Sequence, residues 1–397
     1  MTDFAATKAQ FHLPDGMIYL DGNSLGPLPK TAPAVVDAMM KQQWGDMLIG
    51  GWNKAGWMAQ PTALGDQVAR LIGAEAGHVT LGDTLSIKVV QALAAGLRLQ
   101  PDRKVILTDN GNFPSDIYMA QGLIEALDQD YELCIVDPAE VAARIGPDVA
   151  VVLLTQVDYR TGAMHNMQSL TQTAHQSGAL VIWDLAHSAG ALDLDVSACN
   201  ADFAVGCTYK YLNGGPGAPA FIYVAPRHIG QVEPMLSGWL GHAAPFDFAP
   251  DYRPGNGIER MRVGTPPVIQ MASLAAALEI WKDVDLAQLR QASIDLSEQF
   301  IDLVEENCPM LRLVSPRNAA HRGSQVSFSF SEGYAAIQAL IDRGVVGDFR
   351  APNIMRFGIT PLFIDADDIT QACAIMADVM NNRLWDLPEY KVKSAVT

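Results

Sequence analysis

The chain has 397 residues, 49% of them hydrophobic and 18% charged, a balance that supplies a sizeable core and argues against disorder. Its 44 acidic and 27 basic residues give a formal net charge of -17, which repels phosphate backbones and anionic bilayers, so neither nucleic acid nor membrane is expected as a partner. A small anion in a local basic pocket stays compatible with that charge.

At roughly 100–200 residues per domain, the length suits two or three domains, or one large and one small. The first residues, Met1-Thr2-Asp3-Phe4-Ala5-Ala6-Thr7-Lys8, lack the apolar stretch of a signal peptide. Apolar runs such as Val149–Leu154 are too short to cross a bilayer and suit buried strands. Cys134, Cys199, Cys207, Cys308 and Cys373 form no CxxC pair, which argues against a metal site or disulfide framework; scattered thiols point to the cytoplasm.

Residues 1–30 are rich in Gly, Pro and Asn and read as an irregular arm with one short strand at Met17–Leu20. Helical periodicity follows over Ala32–Trp44 and Gln60–Ile72. Predicted strands then come at Val79–Leu81, Lys104–Thr108, Tyr131–Val136, Val149–Leu154, Leu180–Trp183, Phe203–Gly206 and Ala220–Val224. Between them lie predicted helices at Ile87–Leu99, Ser115–Leu127, Ala139–Ile145 and Met167–Gln176. Continuous apolar strands alternating with helices indicate an α/β fold. Its sheet is mostly parallel, covered on both faces, and binds ligands at the carboxyl ends of its strands. Long helices are expected over Pro267–Lys282 and Leu289–Glu306. Alternation resumes through Arg312–Val314, Gln325–Phe330, Ala335–Arg343, Ile354–Gly358 and Asp367–Asn381, as in a smaller α+β domain. The expected division is an arm over 1–30, a large domain over 31–285 and a small domain over 286–397, with a hinge near 285.

The unusual residues concentrate between 181 and 217. Asp184 directly follows the apolar run Val181-Ile182-Trp183, at a strand's carboxyl end, and is followed by Leu185-Ala186-His187. Lys210 stands between Tyr209 and Tyr211, after another apolar strand and ahead of Asn213-Gly214-Gly215-Pro216-Gly217. Pyridoxal 5'-phosphate (PLP) chemistry needs both. The lysine amine forms an imine with the cofactor aldehyde, and an ionised aspartate keeps the pyridine nitrogen protonated. Gly82-Asp83-Thr84-Leu85-Ser86, between a strand and a helix, offers hydroxyls and first-turn amides for the phosphate. Phe113, in Asn112-Phe113-Pro114-Ser115-Asp116, is a candidate to lie on the ring. Each residue alone has an ordinary reading: a solvated lysine, helix-capping Asp, Thr or Ser, a core Phe. Their joint placement in successive strand-to-helix loops of one sheet favours the site.

At these residues the sequence resembles the fold-type I PLP enzymes, and within them the kynureninase family, over nearly its whole length. The matching pieces are Tyr19-Leu20-Asp21-Gly22-Asn23-Ser24-Leu25-Gly26-Pro27-Leu28-Pro29, Phe113 to Asp116, Asp184 to His187 and Tyr209 to Asn213. They continue in Gly238-Trp239-Leu240-Gly241-His242, Arg262 to Pro267, and Arg356 before Pro361-Leu362-Phe363. The resemblance implies a large domain with a mostly parallel seven-stranded sheet flanked by helices, and a smaller C-terminal α+β domain packed with the arm. It implies hydrolysis of L-kynurenine to anthranilate and L-alanine, with PLP on Lys210. Asp184 would serve the ring nitrogen, Lys210 would move protons, and Tyr209 would be the proton donor, a phenol that keeps its proton until a strong carbon base forms. Leu85, Ser86, Phe113, Ser115, Asp116 and His187 would contact the cofactor. Trp239 and Thr265 would complete the phosphate site from the second subunit of a homodimer. Arg356 would clamp the substrate carboxylate through its planar fork. Trp52, Asn23 and Ser24 are candidates for the substrate pocket; Trp52 and Trp57 also suit simple packing of the arm. A tryptophan in this region resembles the bacterial, kynurenine-preferring members, where the animal enzymes carry histidine.

The sequence departs from the family at Leu85-Ser86-Ile87-Lys88, where Leu-Thr-Val-Asn is more usual. Serine keeps the hydroxyl, whereas Lys88 either adds charge near the phosphate or points to solvent. Other readings are a class V aminotransferase, a cysteine desulfurase-like lyase or a catalytically idle relative. A desulfurase needs a nucleophilic cysteine before the late strands, where His321-Arg322-Gly323-Ser324-Gln325 has none.

Overall fold

Seven apolar runs between 79 and 224 pair into one sheet in a computed structural model that describes residues 2–393. Met1 and residues 394–397, the outer ends of the expected arm and small domain, lie outside the described residues. Across the sheet the strands run Val79–Leu81, Phe221–Val224, Phe203–Gly206, Leu180–Asp184, Val149–Thr155, Val105–Asp109 and Glu132–Val136. Phe221–Val224 is antiparallel to both neighbours and the other pairings are parallel. Alternate residues feed opposite faces. Val152, Leu154, Val181 and Trp183 enter one apolar cluster, while Val151, Leu153 and Ile182 enter another. Burial on both faces is why the central strands read as unbroken apolar runs, whereas the edge strand Glu132–Val136 is half-buried to exposed. Parallel pairing also brings the ends Asp109, Thr155, Asp184 and Gly206 to one edge.

The helix Leu85–Leu99 starts two residues before the expected Ile87, and Met167–Gln176 and Pro114–Leu127 follow the predicted periodicity. The first predicted helix is α-helical only over Ala32–Ala38. It continues over Met39–Asp46 with wider turns, such as Met47 N–H to the Gln42 carbonyl at 3.3 Å, a change of pitch that apolar spacing does not encode.

A second, antiparallel sheet has the order Arg312–Leu313, Gln325–Ser329, Ile354–Gly358, Asp348–Arg350. Asp348–Arg350 was not predicted as a strand, because its charged ends and short length carry no alternating apolar signal. The arm is tied to the second sheet and to the segment that follows Phe203–Gly206. Ile18–Tyr19 pairs in parallel with Val345–Val346, the Gly358 N–H donates to the Leu20 carbonyl at 2.7 Å, and the Gly26 N–H donates to the Tyr209 carbonyl at 2.8 Å. No helix among the described residues is long and apolar enough to cross a membrane.

Candidate active site

A cavity of about 320 Å³ opens at the carboxyl edge of the large sheet and is lined by Ser86, Phe113, Asp184, His187, Tyr209 and Lys210, among others. Lys210 reaches it from the segment that leaves the strand Phe203–Gly206. That segment is turned by Asn213 in the left-handed region (φ 57) and closed by the Gly214 N–H on the Thr208 carbonyl at 2.8 Å. The arm lies directly on it. A Cβ at Gly26 would stand 2.4 Å from the Lys210 carbonyl oxygen, so only glycine lets the arm approach.

Lys210 Nζ is 3.0 Å from His187 Nε2, 5.9 Å from the Phe113 ring centre and 5.8 Å from that of Tyr209. Burial pushes the His187 imidazole well below its usual pKa, and the charges of Lys210, Arg356 and Arg350 add to this. His187 is therefore neutral and its Nε2 can accept from the lysine; its Nδ1 has no protein partner. Asp184 is buried, and its Oδ1 accepts the Ala186 N–H at 2.8 Å. Burial raises its pKa to about 6, against the opposing pull of Lys210. Asp116 is also buried, with neither carboxyl oxygen partnered by protein, and burial and then the Asp184 charge drive its pKa well up. Burial, then the neighbouring Cys207, raises the Tyr209 phenol above its ordinary value.

On the same cavity the helix Leu85–Leu99 begins after Thr84, whose side chain makes no capping bond. The first-turn amides of a helix lack intrahelical acceptors and carry the positive end of its dipole. Ser86 Oγ and Ser115 Oγ stand 3.2 Å apart beside them. Phe113 is held on edge by Tyr159, ring centres 5.0 Å apart. These residues fit PLP: hydroxyls and first-turn amides for a phosphate, a buried carboxylate, an amine and an aromatic ring on one cavity, and the buried polar atoms of Asp116 and His187 without protein partners.

Lys88 neither points to solvent nor lines the cavity; it is buried behind the cradle. Arg356, also buried, belongs to a charged cluster. Its Nε donates to Asp348 Oδ1 at 2.6 Å, its Nη2 to Asp348 Oδ2 and to Ser24 Oγ (2.9 Å), and its Nη1 to the Tyr159 carbonyl. Arg350 Nη2 lies 2.9 Å from Asp348 Oδ2. Ser24 thus joins the cluster, whereas Asn23 is buried against Gln325, with Nδ2 3.4 Å from its Oε1. Trp52 packs against Trp57, ring centres 5.7 Å apart, in a separate apolar cluster with Met39 and Ala272, and does not line the cavity. Trp239 and Thr265 are exposed and lie outside it too. Sequence reasoning missed Thr155, Tyr159, Asp348 and Arg350. The first is findable as the polar end of the most apolar strand; the others depend on cross-strand and loop contacts that no local spacing reveals. Cys308 and Cys373 are buried, and burial pushes their thiols up to about 11 and about 12, which is inert chemistry for a nucleophile.

Residues 289–376 match the kynureninase C-terminal domain, and residues 42–207 match the DegT/DnrJ/EryC1/StrS aminotransferase family. Among solved structures, an apo cysteine desulfurase from Thermococcus onnurineus NA1 superposes with a TM-score of 0.81 at 18% identity, covering 96% of this chain and 99% of that one. The cystine C–S lyase C-DES, in complex with cysteine persulfide, superposes with a TM-score of 0.77 at 20% identity, covering 92% of this chain and 98% of that one. At these identities the likeness establishes the fold, the fold-type I architecture. Curated kynureninases from Pseudomonas fluorescens and from Burkholderia pseudomallei (strain 1106a) are each 48% identical over 400 aligned positions, spanning 99% of this chain and 96% of theirs. With that identity over nearly full length, the chain belongs to the kynureninase family.

Proposed function

We propose that the chain hydrolyses L-kynurenine at its Cβ–Cγ bond, giving anthranilate and L-alanine, with PLP held on Lys210. The observation that carries this reading is the convergence of the Lys210 amine, the buried Asp184 and a helix N-terminus on one cavity in a chain of this family. When bound, PLP supplies an aldehyde that condenses with amines and a pyridinium ring that accepts electrons. The chain's own residues supply the rest. Ser86, Ser115 and the first turn of Leu85–Leu99 hold the phosphate. Asp184 would keep the ring nitrogen protonated, and the unpartnered polar atoms of Asp116 and His187 would be available to the cofactor.

Lys210 moves the proton at the substrate α-carbon, and neutral His187, 3.0 Å from its Nζ, accepts from the amine and keeps it oriented. Tyr209, whose phenol is raised by burial, holds its proton through the neutral range and gives it to the β-carbon of the alanyl product. Arg356 binds the α-carboxylate with Arg350 beside it. Asp348 already spans the Nε edge of Arg356, so the carboxylate meets the Nη groups that face Ser24 and Tyr159.

The exposure of Trp239 (40%) and the neighbouring Phe246 (62%) and Phe248 (78%) suits a homodimer in which Trp239 and Thr265 reach the phosphate of the opposite subunit. Ser24, hydrogen-bonded to Arg356, would stand at the carboxylate end of the substrate, while Trp52, packed on Trp57, and Asn23, buried against Gln325, keep packing roles. The reading divides the chain into an arm over 1–30, a large domain over 31–285 and a small domain over 286–397. The reaction would serve cytoplasmic tryptophan degradation through kynurenine, towards NAD biosynthesis. The test mixes PLP-loaded protein with L-kynurenine and follows anthranilate fluorescence and alanine, with 3-hydroxykynurenine in parallel and Lys210→Ala as control. Equimolar products, lost in the variant, support the reading. Bound cofactor with keto-acid formation instead would replace it with an aminotransferase.

A further inference from the structure

Lys88 stands in the first turns of Leu85–Leu99 and is fully buried. A buried ammonium needs a countercharge, and at the positive end of a helix dipole it needs one more than elsewhere. Its Nζ lies 3.4 Å from Asp83 Oδ2 and 2.9 Å from Gln91 Oε1. Gln91 passes the contact on, its Nε2 donating to the Met261 carbonyl at 3.1 Å. A Cβ built on Gly82 would come 3.8 Å from Nζ, so the ammonium lies directly beneath the loop backbone. Asp83 occupies the left-handed region (φ 56), is partly exposed, and lines the same cavity as Ser86 and Lys210. The cradle assigned to a phosphate dianion therefore carries a carboxylate on its rim, and like charges this close repel.

We propose that Lys88 is a positioning residue for the phosphate end of the site. From behind the loop it holds the Asp83 carboxylate at 3.4 Å and offsets its charge, so that the Gly82–Ser86 loop accepts a dianion. The inference rests on the PLP reading above.

The test compares two ligands that share an aldehyde and differ in the phosphate. Cofactor-free protein is titrated with PLP and with pyridoxal, read by absorbance of the lysine-bound chromophore, for wild type, Lys88→Asn, Asp83→Asn and the double variant. Lys88→Asn is expected to weaken PLP about tenfold and to leave pyridoxal within about twofold, and Asp83→Asn in that background restores most of the loss. Thermal unfolding without ligand checks folding; if Lys88→Asn does not fold, Lys88→Gln keeps a hydrogen-bonding head without the charge. Equal weakening of both ligands, or a double variant as weak as the single, overturns the proposal. Wild-type protein that binds neither ligand sinks the cofactor reading and this inference with it. Wild-type binding with an unaffected Lys88 variant sinks the inference alone.

Discussion

Asp348 and Arg356 face each other across two antiparallel strands, and the carboxylate spans one edge of the guanidinium, with Nε 2.6 Å from Oδ1 and both side chains buried. The pair fixes the plane of the fork before any substrate arrives. Arg350, on the same strand as Asp348, adds a second cation at 2.9 Å. Asp348→Ala would leave a buried guanidinium without its countercharge. It is expected to cost about 3–5 kcal/mol in urea denaturation. Among molecules that remain folded, KM for L-kynurenine should rise about tenfold or more while kcat changes less, because Arg356 loses its orientation.

Asp21, in the arm beside this cluster, has its pKa raised to about 8 by burial and by the Asp348 charge, with Arg356 opposing. A carboxyl raised above its unfolded value of about 3.9 contributes stability that is full below that value and lost as pH climbs through the folded pKa. The Tm of cofactor-free protein should therefore fall between pH 4 and about 8. Asp21→Asn should flatten that slope and gain about 2 °C or more at the alkaline end. An unchanged slope in calorimetry would show that Asp21 ionises freely.

Asp184, raised to about 6 by burial, should carry its proton in the cofactor-free protein below that pH. PLP affinity is then expected to weaken on acidification through about 6, as the charge opposite the ring nitrogen is lost. Asp184→Asn should abolish that dependence and lower kcat by roughly 10³-fold. Fluorescence titration across pH and steady-state rates check the two parts.

Tyr209→Phe keeps the ring beside Lys210 and removes only the proton. We expect kcat to fall roughly 10²-fold with KM nearly unchanged and the bound-cofactor spectrum retained. Loss of the spectrum instead would assign the phenol to holding the cofactor.

Asp202 is buried, and although burial alone would raise its pKa, hydrogen bonds from His175, His228 and the Val181 N–H, together with Arg227, hold it below the usual carboxylate range. Its contribution is present above the unfolded pKa and is lost as pH falls through the lower folded value. Asp202→Asn should cost about 3 kcal/mol at neutral pH and less under acid, read by denaturation at both.

The sequence by itself determined the large sheet and the ends of its strands. The central apolar runs, Val149–Leu154, Leu180–Trp183 and Phe203–Gly206, are buried on both faces of the sheet, and Asp184 and Lys210 follow from where two of those runs stop. Ser86, Phe113 and Asp116 were legible for the same reason, since each opens a helix that follows a strand. The tertiary structure decided what lies beyond one strand-helix unit. It closed Asp348, Arg350, Arg356 and Ser24 into one cluster from the arm and the second sheet, and it buried Lys88 beneath its own loop. It also left Trp52, Asn23, Ser24, Arg356, Trp239 and Thr265 off the lining of the cavity. Some of these contacts join distant residues, as Ser24 and Tyr159 do with Arg356, and others are near in sequence, as Asp348–Arg356 and Lys88–Asp83 are; in both cases burial and charge pairing in three dimensions set the outcome and leave no period in the sequence.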